Sequence, residues 1–115
     1  MIYLYLNKIK NSKTMDLQQE QWWNDFQNDE NAVLLDVRTE DEVSEGAIPG
    51  AQHHDFYQGQ DFLNALENLD KSKNYYVYCR SGNRSGQTCL LMKQLGFENT
   101  YNLVGGMNEW EGPTE

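Results

Sequence analysis

Apolar positions along this chain alternate between a helical spacing and short continuous runs. Asp16, a good capping residue type, predicts a helix running through Phe26, with Leu17, Trp22, Trp23 and Phe26 as its candidate apolar contacts. Asn28 to Asn31 break that pattern. Ala32-Val33-Leu34-Leu35-Asp36-Val37 is a near-continuous apolar run of strand length, the signature of a central strand covered on both faces. Thr39 and Glu42 have the spacing of a capping box and predict a short helix to Gly46, and Ile48-Pro49-Gly50 reads as a turn. Phe62, Leu63, Leu66 and Leu69 share a helical face within residues 61–69. Residues 75–78 predict a second central strand, 85–95 a helix stopped by Gly96, and 99–104 a third strand; Gly105-Gly106 then turns into a short helix around Trp110.

Alternation of this kind with short links predicts an α/β fold: a central, mostly parallel β-sheet of about five strands with helices on both faces. In such sheets, sites lie beyond the carboxyl ends of the strands. Two segments fall there: Asp36-Val37-Arg38, and the loop that opens at Cys79.

Composition narrows the setting. The 115 residues suit one domain, with 38% apolar and 23% charged residues. No run approaches the ~20 apolar residues of a membrane helix. The apolar opening, residues 1–6, is too short for a signal-peptide core and lacks a basic lead-in, so a cytoplasmic location is expected. Net charge is -9, and because Lys8, Lys10 and Lys13 are the only charges before Met15, the body from residue 15 onward carries -12. Such a body repels nucleic acid and anionic membrane, and neither is expected as a partner. Residues 1–14, basic and rich in Asn and Lys, read as an extension, flexible or a cloning remnant, ahead of a single domain at 15–115.

Against that acidity, Arg80 and Arg84 are two of six cations beyond residue 15, and they share one loop, Cys79-Arg80-Ser81-Gly82-Asn83-Arg84-Ser85. The loop joins a strand end to a helix start. Unsatisfied backbone N–H groups and the helix dipole there favour an anion, and a thiol in that field ionises more readily. Both guanidinium groups are expected to act in the same direction. Gly82 and Asn83 tolerate unusual backbone angles, while Ser81 and Ser85 offer hydroxyl donors, Ser85 also as a helix cap. Cys79 is therefore read as a nucleophile and Arg80 to Ser85 as the loop that binds its substrate; an inert buried cysteine is the alternative. Cysteine phosphatases place an arginine six positions after the nucleophile, so that its fork holds phosphate. Here the sixth position is Ser85 and Arg84 is the fifth, a tighter loop that suits a single persulfide sulfur better than a phosphate.

The remaining candidates read as structure. Cys89, in Cys89-Leu90-Leu91-Met92, is expected in the core, with a resolving disulfide as the alternative. Asp36 and Arg38 could line the pocket, but a scaffold role is favoured. Two cysteines do not make a zinc site, and neighbours on a strand such as His53 and His54 face opposite ways, so no metal is assigned. Gly105-Gly106 reads as a tight turn near the active loop.

Three segments together resemble the single-domain rhodanese family. Leu34-Leu35-Asp36-Val37-Arg38, Glu42 and Gly46-Ala47-Ile48-Pro49-Gly50-Ala51 are similar to its first signature, with Ala47 where the family usually has histidine. Tyr78 to Ser85 resembles its active loop, and Tyr101-Asn102-Leu103-Val104-Gly105-Gly106-Met107 with Trp110 its closing motif. The resemblance implies a rhodanese-like fold and a sulfurtransferase. Such an enzyme moves sulfur from a small donor (thiosulfate or a persulfide) to a thiol or cyanide acceptor through a persulfide on Cys79, with no cofactor. Two other functions stay open: a sulfur-relay module loaded by a partner protein such as a cysteine desulfurase, and a cysteine phosphatase or arsenate reductase, against which the loop length speaks.

Overall fold

Residues 13–115 are described by the structure, a computed structural model. Strands β1 (Lys13–Leu17), β2 (Ala32–Asp36), β3 (Gln52–His53), β4 (Asn74–Tyr78) and β5 (Asn99–Leu103) form one sheet in the order β1-β5-β4-β2-β3. Every pairing is parallel. The helices are α1 (Gln19–Gln27), α2 (Glu40–Ser44), α3 (Gln60–Glu67), α4 (Asn83–Gln94) and α5 (Gly106–Glu109). Parallel neighbours require crossovers, and these carry the helices that cover both faces.

β4 shows how one strand serves two cores. Side chains alternate along it, so Tyr75 and Val77 face one way and Tyr76 and Tyr78 the other. The first face packs with Leu35, with Phe62 and Leu66 of α3, and with Cys89 and Met92 of α4. The second packs with Leu34, Ile48, Leu103 and Trp22 of α1. Trp22 is fully buried, edge-on to Tyr76, Tyr78 and Trp110 at centroid distances of 6.1, 6.0 and 5.7 Å. Its indole N–H donates to the Tyr101 carbonyl at 3.1 Å, so the one polar atom of this buried side chain is satisfied. Cys79 follows Tyr78 at the carboxyl end of β4 and joins the first core.

The capping box forms as expected: Glu42 N–H donates to the Thr39 hydroxyl, and the Thr39 N–H to Glu42 Oε1. α4 stops at Gly96, where Gly96 N–H reaches Lys93 O at 3.1 Å and Phe97 N–H reaches Met92 O at 3.0 Å.

Three expectations are corrected. Asp16 does not cap a helix, and Leu17 is not on one. Both lie in β1, paired with Asn102 and Leu103, and α1 starts after Gln18, which caps it without a side-chain bond. Ladder pairing to β5 outweighs the local capping preference of Asp16. Ser85 does not cap α4 either, because Gly82 holds the N-cap position and the helix opens at Asn83. The sequence pattern gave no sign of β1 or of the exposed two-residue β3, which pairs with Leu35 and Asp36. Lys13 and Thr14 belong to β1; the rest of the stretch 1–14 lies outside the described residues.

Candidate active site

The loop from Cys79 to Ser85 is shaped by two glycines. Gly82 has φ +101°, and a Cβ there would fall 3.2 Å from Leu103 O and 3.4 Å from Gly105 N, so only glycine meets both demands without strain. Gly106 has φ +52°, and its Cα packs so close to the loop that a Cβ would lie 2.5 Å from Cys79 O and 2.6 Å from both C and O of Arg80. The next N–H groups of α5 donate to the loop: Met107 to Cys79 O at 3.0 Å and Asn108 to Arg80 O at 2.9 Å. The Gly105-Gly106 turn thus serves as a buttress behind the loop.

Donors surround the sulfur. Gly82 N–H lies 3.1 Å from Cys79 Sγ, Ser85 N–H 3.4 Å and the Ser85 hydroxyl 3.2 Å, with the Ser81 N–H adding to them. Burial pushes the thiol up, since Cys79 has no solvent exposure. The Ser85 hydroxyl and the amides of Ser85, Gly82 and Ser81 outweigh that, and the thiol ends below its ordinary value. Both guanidinium groups were expected to act in the same direction as the amides; Arg84 does couple by charge to the sulfur, but the main pull comes from the neutral donors. Arg80 is exposed and directs Nε at Asn108 Oδ1, 3.5 Å away, while the Arg84 fork is engaged elsewhere.

Ser85 is the link to a partner the sequence did not single out. Its Oγ lies 2.5 Å from Asn102 Oδ1, and Asn102 is oriented by donating Nδ2–H to Asp16 Oδ1 (2.9 Å) and Gly82 O (3.1 Å). A hydroxyl has one proton to donate. With the sulfur protonated, S–H can donate to Ser85 Oγ and Ser85 to Asn102; with the sulfur ionised, the Ser85 proton turns to it. The signal available in the sequence was an asparagine between Tyr101 and Leu103, at an inward-facing position near the end of β5.

Glu42, read as a cap and as part of the first signature, is the second residue whose place at the site was missed. Arg84 Nη1 and Nη2 each donate at 2.8 Å to Oε1 and Oε2 of Glu42, a bidentate pair. The Thr39 hydroxyl donates to the same Oε1 at 3.0 Å, and the Arg84 guanidinium lies over the Tyr57 ring, 5.4 Å from its centroid. The Arg84 guanidinium, against some burial and with help from Thr39, holds the Glu42 carboxyl down at about 2 from an ordinary 4.5. A depressed carboxylate stabilises the fold fully above its unfolded value and ceases to as pH falls through the folded one. A stability gap between the parent and Glu42→Gln should therefore exist above pH 4.5 and close towards about pH 2, read from urea melts across that range. A gap that stays constant would show that the pair contributes nothing.

Asp36 and Arg38 spend their polar atoms on the scaffold. Arg38 Nε and Nη2 donate to Asp36 at 3.0 and 2.7 Å, and further bonds reach the Gly46 and Glu42 carbonyls. The Tyr78 hydroxyl donates to Asp36 at 2.8 Å and accepts from Ile48 N–H at 3.1 Å. This buried network ties the end of β2 to β4 and to the segment after α2. Cys89 lies in the first core, and burial pushes its thiol up to about 12.

Comparison with known proteins gives consistent results. The family model described as the Rhodanese-like domain matches residues 18–113. YtwF of Bacillus subtilis (strain 168), named provisionally as a sulfurtransferase, is 45% identical over 87 residues, covering 76% of this chain and 81% of its own. YrkF of the same organism, named provisionally as a sulfur carrier protein, is 37% identical over 87 residues; these cover 76% of this chain but 45% of YrkF, so the match spans less than half of that protein. Among solved structures, a rhodanese-like domain protein from Staphylococcus aureus superposes with a TM-score of 0.73 at 28% identity, covering 88% of this chain and 96% of that one.

Proposed function

The chain belongs to the rhodanese-like domain family, and we propose that it is a sulfurtransferase working through a persulfide on Cys79. The observation that carries this reading is the ring of neutral donors around a single sulfur atom: three contacts at 3.1 to 3.4 Å converge on Sγ. Such a ring lowers the cost of negative charge at the sulfur, both in the thiolate and in the persulfide that follows it.

The steps balance without a cofactor. The Cys79 thiolate attacks the outer sulfur of thiosulfate, a new S–S bond forms at Sγ, and the old S–S bond breaks with its electron pair leaving on sulfite. An acceptor thiophile then attacks the outer sulfur of the persulfide; with cyanide, thiocyanate leaves and the thiolate is restored. Arg80 to Ser85 form the loop that holds the transferred sulfur, chiefly through backbone amides and the Ser85 hydroxyl. Asp36 and Arg38 keep the neighbouring strand end in place. A cytoplasmic setting belongs with this reading, because both cysteines are free and a reducing compartment keeps them so. Among the described residues no helix is long and apolar enough to cross a membrane.

The likeness to YrkF favours a second reading, a carrier in a sulfur relay: the same persulfide forms, but a partner protein loads it and turnover with thiosulfate is slow. Intact mass spectrometry of the reduced, folded protein after thiosulfate treatment tests the shared step. One added sulfur atom, mapped to Cys79, is the expected result. No adduct with thiosulfate or with a persulfide donor would overturn both readings and return the loop to phosphate or arsenate chemistry.

A further inference from the structure

We propose that Glu42 sets donor selectivity: by occupying the Arg84 guanidinium, it turns the site away from dianionic thiosulfate and towards persulfides of simple thiols. The inference rests on the sulfur-transfer reading of Cys79 and concerns which donor that site prefers.

A doubly charged donor needs a cation close to the reacting sulfur, because thiosulfate enters with two charges and sulfite leaves with two. The loop holds two guanidinium groups. Arg80 is exposed, with Nε directed at Asn108. Arg84 is close enough to Cys79 for the sulfur's charge to act on it, but both edges of its fork are spent on Glu42 at 2.8 Å and its face lies over Tyr57. Glu42 is itself fixed by the Thr39 N–H and hydroxyl, so the pair is anchored to the start of α2. The side chains are 14% and 18% exposed, little enough for water to be a poor substitute for the missing partner.

The cavity of about 240 Å³ beside Arg80 repeats this balance. Glu42 and Glu45 line it, while the Arg38 that faces it is already bound to Asp36. Among the described residues no uncommitted pair of cations meets an incoming dianion. At longer range the net charge of -9 repels two charges twice as strongly as one. A persulfide avoids both costs. The Cys79 thiolate attacks the outer sulfur of R–S–SH, the S–S bond breaks, and R–S⁻ leaves with the electron pair and a single charge. The proton stays with the transferred sulfur until water takes it.

Glu42→Gln tests this selectively. Glutamine can still accept the Thr39 N–H, so the capping box survives, while the Arg84 guanidinium loses its counter-charge. The probes are thiosulfate and cysteine persulfide, with cyanide as acceptor. We expect the ratio of kcat/KM for cysteine persulfide over thiosulfate to fall on the order of tenfold in Glu42→Gln, through a lower KM for thiosulfate, the effect of about one charge-assisted hydrogen bond. Adding Arg84→Gln to Glu42→Gln should cancel that gain. An equal ratio in parent and variant, with sulfur reaching Cys79 from both donors, overturns this inference alone. Absence of the sulfur adduct from either donor in the parent overturns the sulfur-transfer reading and this inference with it. Should the variant fail to fold, the parent supplies the test: kcat/KM should rise with added salt, more steeply for thiosulfate than for cysteine persulfide. A fall with salt for thiosulfate would mean that the site attracts the dianion, and would overturn the proposal.

Discussion

Cys79→Ser should yield a folded protein that takes up no sulfur from thiosulfate, with thiocyanate turnover lower on the order of 10³-fold or more. The donors that face Sγ can equally well face an oxygen, so the loop keeps its bonds and the melting temperature changes little. What is lost is the nucleophile. A serine hydroxyl is far too weak an acid for this ring of neutral donors to ionise, whereas a thiol needs only a modest push, and the push runs in the right direction here. Cys89 serves as an internal control, since its thiol is buried and pushed up to about 12, and it should carry no added sulfur in parent or variant. Thiocyanate release and intact mass give the answer together. A Cys79→Ser protein that turns over at near the parental rate would sink the mechanism.

Gly106→Ala should damage both stability and site. An alanine there must adopt φ +52° and must place Cβ 2.5 Å from Cys79 O and 2.6 Å from Arg80 C and O, all backbone atoms with no easy escape. The left-handed conformation alone costs about 1 kcal/mol or more for a residue with a Cβ. Relieving the clash means pushing α5 off the loop, breaking the bonds from Met107 and Asn108, for a total of about 3 kcal/mol or more. With the loop displaced, the donors around Sγ separate and the thiol moves back up. The pH profile for alkylation of Cys79 should therefore shift to higher pH as the melting point falls. Gly50→Ala is the natural contrast: φ is +89°, but nothing lies within 4 Å of the added methyl. It should show the strain cost and leave the Cys79 profile unmoved. Identical alkylation profiles for Gly106→Ala and the parent would show that α5 does not hold the loop.

The parts of this molecule legible in its sequence are those whose physics is local. β2, β4, α3 and α4 announce themselves through contiguous apolar runs or helical spacing, and the loop at Cys79 keeps its nucleophile, glycine and hydroxyl donors within seven consecutive residues. β1 was invisible because it is a strand only by virtue of its pairing with β5; of its five residues only Met15 and Leu17 are apolar. Asp16 looked like a cap for the same reason, since its partner, Asn102, is remote in sequence. The site shows the same divide. Glu42 was recognised for its bond to Thr39, three residues away, and not for its bond to Arg84. Charge patterning placed Arg80 and Arg84 close together, Arg80 in the loop and Arg84 in the first turn of α4, but could not tell where their side chains point or that amides and a hydroxyl would outweigh them at the sulfur.

The order of the strands also fixes a moment in the life of the chain. β1 pairs with β5, Lys13 opposite Asn99, and the loop at Cys79 receives its last two backbone bonds from Met107 and Asn108. Synthesis runs from the N-terminus, so on the ribosome β1 waits for a partner until β5 is made, and Cys79 is made before the residues that brace it. A nascent chain halted before residue 106 carries the cysteine without its support. The nucleophile is thus made before the residues that brace it, and its loop has its full set of backbone bonds only once residues 107 and 108 are in place.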